Sequence, residues 1–518
     1  MIAEDQSQTI AFLSDPASYG ITGPVEVIET HISLVFLAGD RAYKLKRAVK
    51  LPYVDFSTRQ LRAATCAKEV DLNRRTAPEL YFGVRDIVRG PDGQLTLEGP
   101  GEAVDTVVQM MRFDQEGLFD RLAATGGLTP RLMDEAAGMI AAFHKDAPGV
   151  HAGGGAANME AVLSINEAGF ATSHVFAPAE LKAFNAAFRA RLETHRALLD
   201  ERERHGSVRR CHGDLHLRNI CLFEGRPQLF DCIEFDDGLA TVDILYDLAF
   251  LLMDLWHREL PGLANRVMNR YLDITRDDGG FVLLPFFMAV RAAVRAHVTA
   301  TQAEGAGDAE LLVSEARASF ELAKRLLETS PPRLVAIGGL SGSGKTTVAE
   351  AVAPLIGPPP GARTFESDRI RKEMHGVPVE TRLAAEAYAP ETSTRVYREL
   401  GARACIVLAA GGTVVVNAVF DRADNRRMIE EVAREVRVPF TGIWLHADAG
   451  TLRERVARRV GGPSDADLAV LERQMRVEPG AIGWARLDAR EDAATLARKI
   501  AQGREVSRPA PESGQAAP

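Results

Sequence analysis

Gly339-Leu340-Ser341-Gly342-Ser343-Gly344-Lys345-Thr346 has the spacing G-x-x-x-x-G-K-[ST]. Glycines so placed let consecutive backbone N–H groups curl round phosphate oxygens, the lysine reaches the outer phosphates, and the last hydroxyl ligates Mg²⁺. Leu334 to Ile337 reads as a buried strand before the loop, and Thr347 to Val352 as a helix-forming stretch after it. The pattern predicts a site for ATP or GTP built from Gly339 to Thr347.

A separate set of residues in the first half suggests phosphoryl transfer of another kind. In Cys211-His212-Gly213-Asp214-Leu215-His216-Leu217-Arg218-Asn219, Asp214 and Asn219 have the spacing H-x-D-x-x-x-x-N. There the aspartate orients a substrate hydroxyl and the asparagine binds metal. Strands at 220–223 and 228–230, joined by Glu224-Gly225-Arg226-Pro227, return Asp231 to the loop as a second metal ligand; Glu234 and Asp236 compete for that role.

The elements upstream must supply the nucleotide contacts. Strands at 32–36 and 42–46 form a hairpin around Ala38-Gly39-Asp40, and Lys44 and Lys46 share a face because strand side chains alternate. One of them is a candidate for the lysine that pairs with phosphates; the other reading is an edge strand's solvent-facing lysines. A helix from Thr58 to Arg75 carries Glu69, either that lysine's partner or part of a solvated face. Further strands fall at 80–88 and 104–111 with a turn at 90–93, and 107–113 leads toward a second lobe. From Leu118 to Arg204 the pattern is mainly helical, broken at Gly153-Gly154-Gly155. His144 reads as a core or capping residue before a catalytic one, and Asp243 and Asp247 as caps or braces for a helix at 242–256 before metal ligands.

After the linker Thr329-Ser330-Pro331-Pro332, strand and helix alternate, which predicts a parallel sheet. Asp368 precedes a helix, either as its cap or as the base for an acceptor hydroxyl; Arg371 and Lys372 either neutralise an acidic acceptor or are solvated. Asn417 ends the strand 413–417, where a metal-binding aspartate is common in this class. Arg455 and Arg459, four apart on a helix at 451–459, share a face and suit a mobile lid, or a plain basic surface.

At 518 residues, with 46% hydrophobic and 26% charged content, the chain is long enough for two or three soluble domains. Acidic residues outnumber basic ones, 71 to 62, which disfavours a large nucleic-acid surface. Five cysteines without C-x-x-C spacing suggest buried thiols in a reducing compartment. The N-terminus lacks the pattern of a secretion signal, and the apolar stretch 281–298 is interrupted by Pro285, Arg291, Arg295 and His297, so it reads as a buried helix. The expectation is a cytoplasmic protein with no membrane span.

His212-Gly213-Asp214-Leu215-His216-x-x-Asn219, Phe230-Asp231-Cys232 and Tyr246-Asp247-Leu248-Ala249 together resemble the aminoglycoside phosphotransferase and choline kinase family over roughly residues 25 to 325. The resemblance implies Asp214 as catalytic base, Asn219 and Asp231 as Mg²⁺ ligands, Lys44 or Lys46 as phosphate lysine and Glu69 as its partner. Two departures limit the transfer to substrate contacts: Leu217-Arg218 stands where the family often has Pro-Gly, and Asp231 lies a few residues farther from Asp247. The second half resembles the small P-loop kinases related to gluconate kinase, polynucleotide kinase and zeta toxins. The whole chain is similar to bacterial fusions described as bifunctional aminoglycoside phosphotransferase and AAA-type ATP-binding protein. The implied architecture is an α+β, bilobal protein-kinase-like domain over 1–328, a linker at 329–332, an α/β P-loop NTPase domain with a parallel sheet over 333–502, and a disordered tail over 503–518. The implied activity is transfer of phosphate from ATP, with Mg²⁺, to hydroxyl groups of small molecules at two sites. In the second, Lys345, Thr346 and Asp368 would act, with Arg455 and Arg459 on the lid. Two alternatives stand: the first domain as a non-catalytic binding or regulatory module, and the second as a polynucleotide 5′-kinase.

Overall fold

The computed structural model describes residues 4–51, 54–150, 154–304, 309–459 and 461–503. Gly153 and the expected tail beyond Gly503 lie outside the described residues. The chain forms two compact units, Met1–Asp254 with His297–Ala309, and Leu255–Ala296 with Glu310–Pro518.

The first unit contains a six-stranded antiparallel sheet ordered Glu26–Glu29, Ser33–Ala38, Arg41–Lys46, Glu102–Met111, Tyr81–Arg89, Leu95–Leu97. The hairpin turns at Gly39 with φ +61°, a conformation that favours glycine. Val35 faces Lys44 and Ser33 faces Lys46, so both lysines project from one side of the sheet. Helix Arg59–Asn73 lies against that side. Thr58 caps it, accepting the Leu61 N–H at 3.3 Å, and its buried residues Arg62, Cys66, Glu69, Val70 and Asn73 recur at helical spacing. Two of those five are charged, and both are answered: Arg62 makes a forked pair with Asp105 at 2.9 and 3.0 Å, and Glu69 meets the lysines. Helices follow at Pro130–Asp146, Gly155–Ala171, Pro178–Arg204 and Ile244–His257. The apolar stretch read as a buried helix is the helix Leu284–Ala303, whose core residues Phe286, Phe287, Met288 and Val290 belong to the second unit.

The second unit is built on a five-stranded, all-parallel sheet ordered Arg363–Glu366, Val414–Asn417, Leu334–Gly338, Phe440–His446, Ala485–Asp488. The strand before the phosphate loop is central and buried throughout, which explains its unbroken apolar run. Chain segment Leu255–Ala296 packs with this unit although it precedes the proline linker. The cause is polar. Arg363, fully buried on the edge strand, donates to Asp278 at 2.8 Å and to Asp273 at 2.7 Å and lies over the Phe365 ring. Arg403 donates to the other oxygen of Asp278 at 2.7 Å. Asn269 accepts the Thr364 N–H at 2.7 Å, and Asn265 donates to the Pro360 and Ala362 carbonyls, so side chains satisfy an edge that has no further strand.

Removing the cation from this arrangement is costly because its carboxylates stay buried. Arg363→Met is expected to lower the stability of the second unit by about 3 kcal/mol. All 3 tryptophans, Trp256, Trp444 and Trp484, lie in that unit, so urea unfolding followed by their fluorescence reads it. A shift smaller than about 1 kcal/mol would contradict the assignment.

Candidate phosphoryl-transfer sites

In the first unit the strand hairpin brings both lysines to one carboxylate. Lys44 Nζ lies 2.9 Å from Glu69 Oε1 and also contacts Asp231, while Lys46 contacts Glu69 Oε2 and Glu234. Burial opposes charge on all of these groups, and the ion pairs overcome it. Burial would raise the Glu69 carboxyl, yet the two ammonium groups hold it down at about 2. Burial would likewise depress Lys44, but Asp231 and Glu69 hold it well above its ordinary value. The choice between the lysines follows from access: the side chain of Lys46 is 1% exposed, that of Lys44 11%, and that of its partner Asp231 40%. Lys44 is therefore the one a ligand from solvent could reach. The solvent-facing reading of both lysines, and of Glu69, is corrected by their burial.

The three acids that competed for the metal role separate. Asp231 sits beside Lys44 in a left-handed conformation, φ +64°. Glu234 is spent on Lys46, and Asp236 caps the turn 237–240 by accepting the Gly238 and Leu239 N–H groups. Asp231 is brought back to the loop by the hairpin Ile220–Phe223 and Arg226–Leu229, which pairs Ile220 with Leu229 and sends the Phe230 N–H to the Asn219 carbonyl at 3.1 Å.

The loop itself is held from behind. Asn219 Nδ2 donates to the Asp214 carboxylate and carbonyl, each at 2.9 Å, so the candidate base and metal ligand form one rigid pair. His216 Nε2 lies 3.3 Å from the Asp214 carboxylate. His212 Nδ1 accepts the Asp214 N–H at 3.3 Å, which leaves Nε2–H to donate to the Phe230 carbonyl at 2.9 Å. Both bonds need the neutral ring, and burial lowers the His212 pKa accordingly. Gly213 has φ +86°, and a Cβ there would come 2.9 Å from Ala240. Helix Ile244–His257 contributes Asp247, which accepts the His212 and Gly213 N–H groups at 3.2 and 2.8 Å, and Asp254, which accepts that of Leu217 at 3.1 Å. Asp247 thus braces the loop more than its own helix, and buried His144 contacts it at 3.0 Å. Asp243 is a cap, accepting the Leu245 N–H at 2.8 Å while paired with Arg202.

In the second unit the phosphate loop has the shape its glycines predict. Gly339, Gly342 and Gly344 all have positive φ; a Cβ on the first two would strike the Leu445 and Leu452 carbonyl oxygens at 2.5 and 2.7 Å, whereas Gly344 faces open space. Lys345 opens helix Lys345–Val352 and donates to the Leu340 carbonyl at 3.0 Å. Burial lowers its pKa to about 8, against the pull of Asp368. Ser343 Oγ and Arg459 Nη1 are buried without a hydrogen-bond partner among the described residues. An orphaned hydroxyl, an orphaned guanidinium nitrogen and a charge-starved lysine around a glycine cradle fit a polyphosphate.

Several expectations change here. Asp368 does not cap the helix: Ser367–Met374 already contains it in the first turn, with Glu366 at the cap position. Glu366, to which the sequence reading gave no role, accepts the Thr346 hydroxyl at 2.6 Å and stands in register with Asn417 on the adjoining strand. Burial raises its pKa. An acid thus stands one strand away from Asn417, beside the Thr346 hydroxyl. Arg455 and Arg459 do not share a helix face. The helix ends at Arg458, Arg455 donates to the Ala489 carbonyl at 2.9 Å, and Arg459, extended beyond the end, is close enough to depress Lys345. Arg371 and Lys372 are buried instead of solvated: Arg371 donates to the Ala387 carbonyl at 2.7 Å and lies over Tyr388, and Lys372 pairs with Asp465 at 2.9 Å. Gln474, which no motif marks, accepts the Ser341 N–H at 2.9 Å.

Comparison with known proteins finds two separate matches along the chain. Residues 62–281 match the family model described as phosphotransferase enzyme family, and residues 334–479 that described as AAA domain. Uncharacterized protein Rv2004c of Mycobacterium tuberculosis is 27% identical over 452 residues, covering 85% of this chain and 88% of that protein. Among solved structures, a choline/ethanolamine kinase family protein from Mesorhizobium loti is 17% identical with TM-score 0.40, over 62% of this chain and 93% of its own. A gluconokinase from Sinorhizobium meliloti is 25% identical with TM-score 0.24, over 34% of this chain and 93% of its own. The chain is thus similar to the phosphotransferase enzyme family over residues 62–281 and to the AAA domain over residues 334–479.

Proposed function

We propose that the protein is an ATP-dependent phosphotransferase with two nucleotide sites, each transferring the γ-phosphate to a hydroxyl group of a small molecule. The observation that carries the reading is the Lys44 ammonium held at 2.9 Å from Glu69 with Asp231 on its other side, in the same chain as a glycine cradle lined with orphaned donors. In the first unit Asp214 takes the proton of the acceptor hydroxyl as its oxygen bonds to phosphorus and the bond to the leaving ADP oxygen breaks. Asn219 and Asp231 would hold Mg²⁺, and Lys44 the phosphates. In the second, Asp368 is the base, Lys345 and Arg459 answer the phosphate charge, and Thr346 with Glu366 would hold the metal. Mg²⁺ supplies charge neutralisation at both sites when bound.

Small neutral acceptors suit the second site better than nucleic acid, because Arg371 and Lys372 already serve protein partners. We also place the protein in the cytoplasm, on its 5 free thiols.

Asp214→Ala and Lys345→Ala are each expected to remove at least about 10²-fold of the transfer at their own site and to leave the other working. ATP consumption with a panel of sugars, polyols, aminoglycosides, nucleosides and 5′-hydroxyl oligonucleotides checks this. If Asp214→Ala changes nothing with any acceptor, the first unit is a binding or regulatory module; turnover with oligonucleotides alone makes the second a polynucleotide kinase. Glu366→Gln is expected to raise the Mg²⁺ requirement of the second site roughly tenfold; an unchanged requirement removes Glu366 from the metal role.

Lys345 gives a pH signature. With its pKa at about 8 in the free protein, it is charged at pH 6.5 and largely neutral at pH 8.5, and a bound polyphosphate restores the charge. ATP binding is then expected to take up roughly three quarters of a proton at pH 8.5 and almost none at pH 6.5. Calorimetry in buffers of different ionisation enthalpy measures this. Lys44, held well above its ordinary value, contributes no uptake, so Lys345→Met should abolish the effect.

A further inference from the structure

The second lysine of the hairpin has no task in the proposed transfer, yet it is the more completely buried of the two. Lys46, Glu69 and Glu234 form a sealed half of the charge cluster, with side chains 1%, 0% and 4% exposed. Lys44 and Asp231 form the half that opens to solvent. Glu69 belongs to both: one carboxylate oxygen serves Lys44 and the other Lys46. Glu234 lies three residues beyond Asp231 on the segment that returns from the hairpin, and Lys46 two residues beyond Lys44 on the strand. The two ion pairs therefore run side by side between the same two pieces of chain.

We infer that Lys46 and Glu234 are positioning residues for the first phosphoryl-transfer site: the pair absorbs half of Glu69 and fixes the segment carrying Asp231, so that Lys44 faces only the two carboxylates from which a phosphate can draw it. The inference rests on the kinase reading of the first unit. Without Lys46, three carboxylates converge on one ammonium. Lys44 is then held too strongly to serve a nucleotide, and Glu234 is pulled toward it, dragging Asp231 out of place. Without Glu234, Lys46 turns wholly to Glu69 and loosens its hold on Lys44. Without both, the charges balance again as one lysine between two acids, and function returns. Reciprocal rescue of this kind separates positioning from mere support of the fold.

The test uses the full-length chain carrying Lys345→Ala, which weakens the other site, and measures binding of a non-hydrolysable ATP analogue with Mg²⁺ by calorimetry. Lys46→Met is expected to weaken binding about tenfold, and Lys46→Met with Glu234→Gln to recover to within about threefold of the parent. Glu234→Gln alone keeps the side chain's shape and is the variant to rely on if Lys46→Met fails to fold by thermal melt; it should raise the Mg²⁺ half-saturation severalfold, and Lys46→Arg should restore what Lys46→Met loses. If Lys44→Met abolishes binding while both Lys46→Met and Glu234→Gln bind as the parent does, the positioning role is overturned and the kinase reading stands. If Lys44→Met also binds as the parent does, the reading of the first site falls and this inference with it.

Discussion

An ammonium group taken out of water must be answered by negative charge, and the first unit is organised around doing so twice on one strand. The hairpin sets Lys44 and Lys46 on the same side of the sheet, and one buried helix residue, Glu69, stands between them with an oxygen for each. That requirement propagates. Burying Glu69 fixes which face of helix Arg59–Asn73 turns inward, and the second carboxylate each lysine needs comes from the segment after the catalytic hairpin. The first unit's sheet and the segment carrying Asp231 and Glu234 are thereby tied by charge at the point where the nucleotide is proposed to bind. The same group that stabilises Lys44 at rest, the half-exposed Asp231, is the one proposed to turn to a metal.

The second unit solves the same problem differently. Lys345 has a carbonyl for a partner where Lys44 has carboxylates, and the acids near it act only at a distance. Its charge is correspondingly weakly held. Around it a hydroxyl and a guanidinium nitrogen lie in the interior without acceptors among the described residues, a cost of roughly 1–3 kcal/mol each that a bound polyphosphate would relieve. One site thus waits with its cation already neutralised, the other with donors unspent. In the first, a ligand must displace carboxylates; in the second, it fills a deficit.

What could be read from the sequence follows from which interactions are local. The phosphate loop, the H-x-D-x-x-x-x-N loop and the alternation of Lys44 and Lys46 are short-range patterns, and each sits where its spacing predicts. Thr58 was read as the start of its helix and serves as its cap. Most of the misses are contacts across long stretches of chain. Glu366 stands beside Thr346 only because two strands are neighbours in a parallel sheet, although an acid two residues before Asp368 was a usable signal. Asp247 was read as serving its own helix and Asp254 went unread; both accept from a loop more than thirty residues earlier. Arg455 and Arg459 failed as a pair because the helix stops between them, although Gly461-Gly462-Pro463 just beyond was a usable stop signal.

The proline linker raises the same issue at the scale of the unit. Composition marks 329–332 as a boundary, yet Asp273, Asp278, Asn265 and Asn269 from well before it complete the edge of the parallel sheet. A sheet edge must be covered or paired, and here the cover is a buried arginine held by carboxylates that the chain supplied earlier. Once Arg363 occupies that edge without water, no segment lacking those acids can satisfy it. The stretch Leu255–Ala296 is consequently a structural part of the second unit, while the helix that enters it, Ile244–His257, carries the acids bracing the first unit's catalytic loop. One continuous run of chain therefore supplies acceptors to the 212–217 loop of the first unit and to the edge of the second unit's sheet.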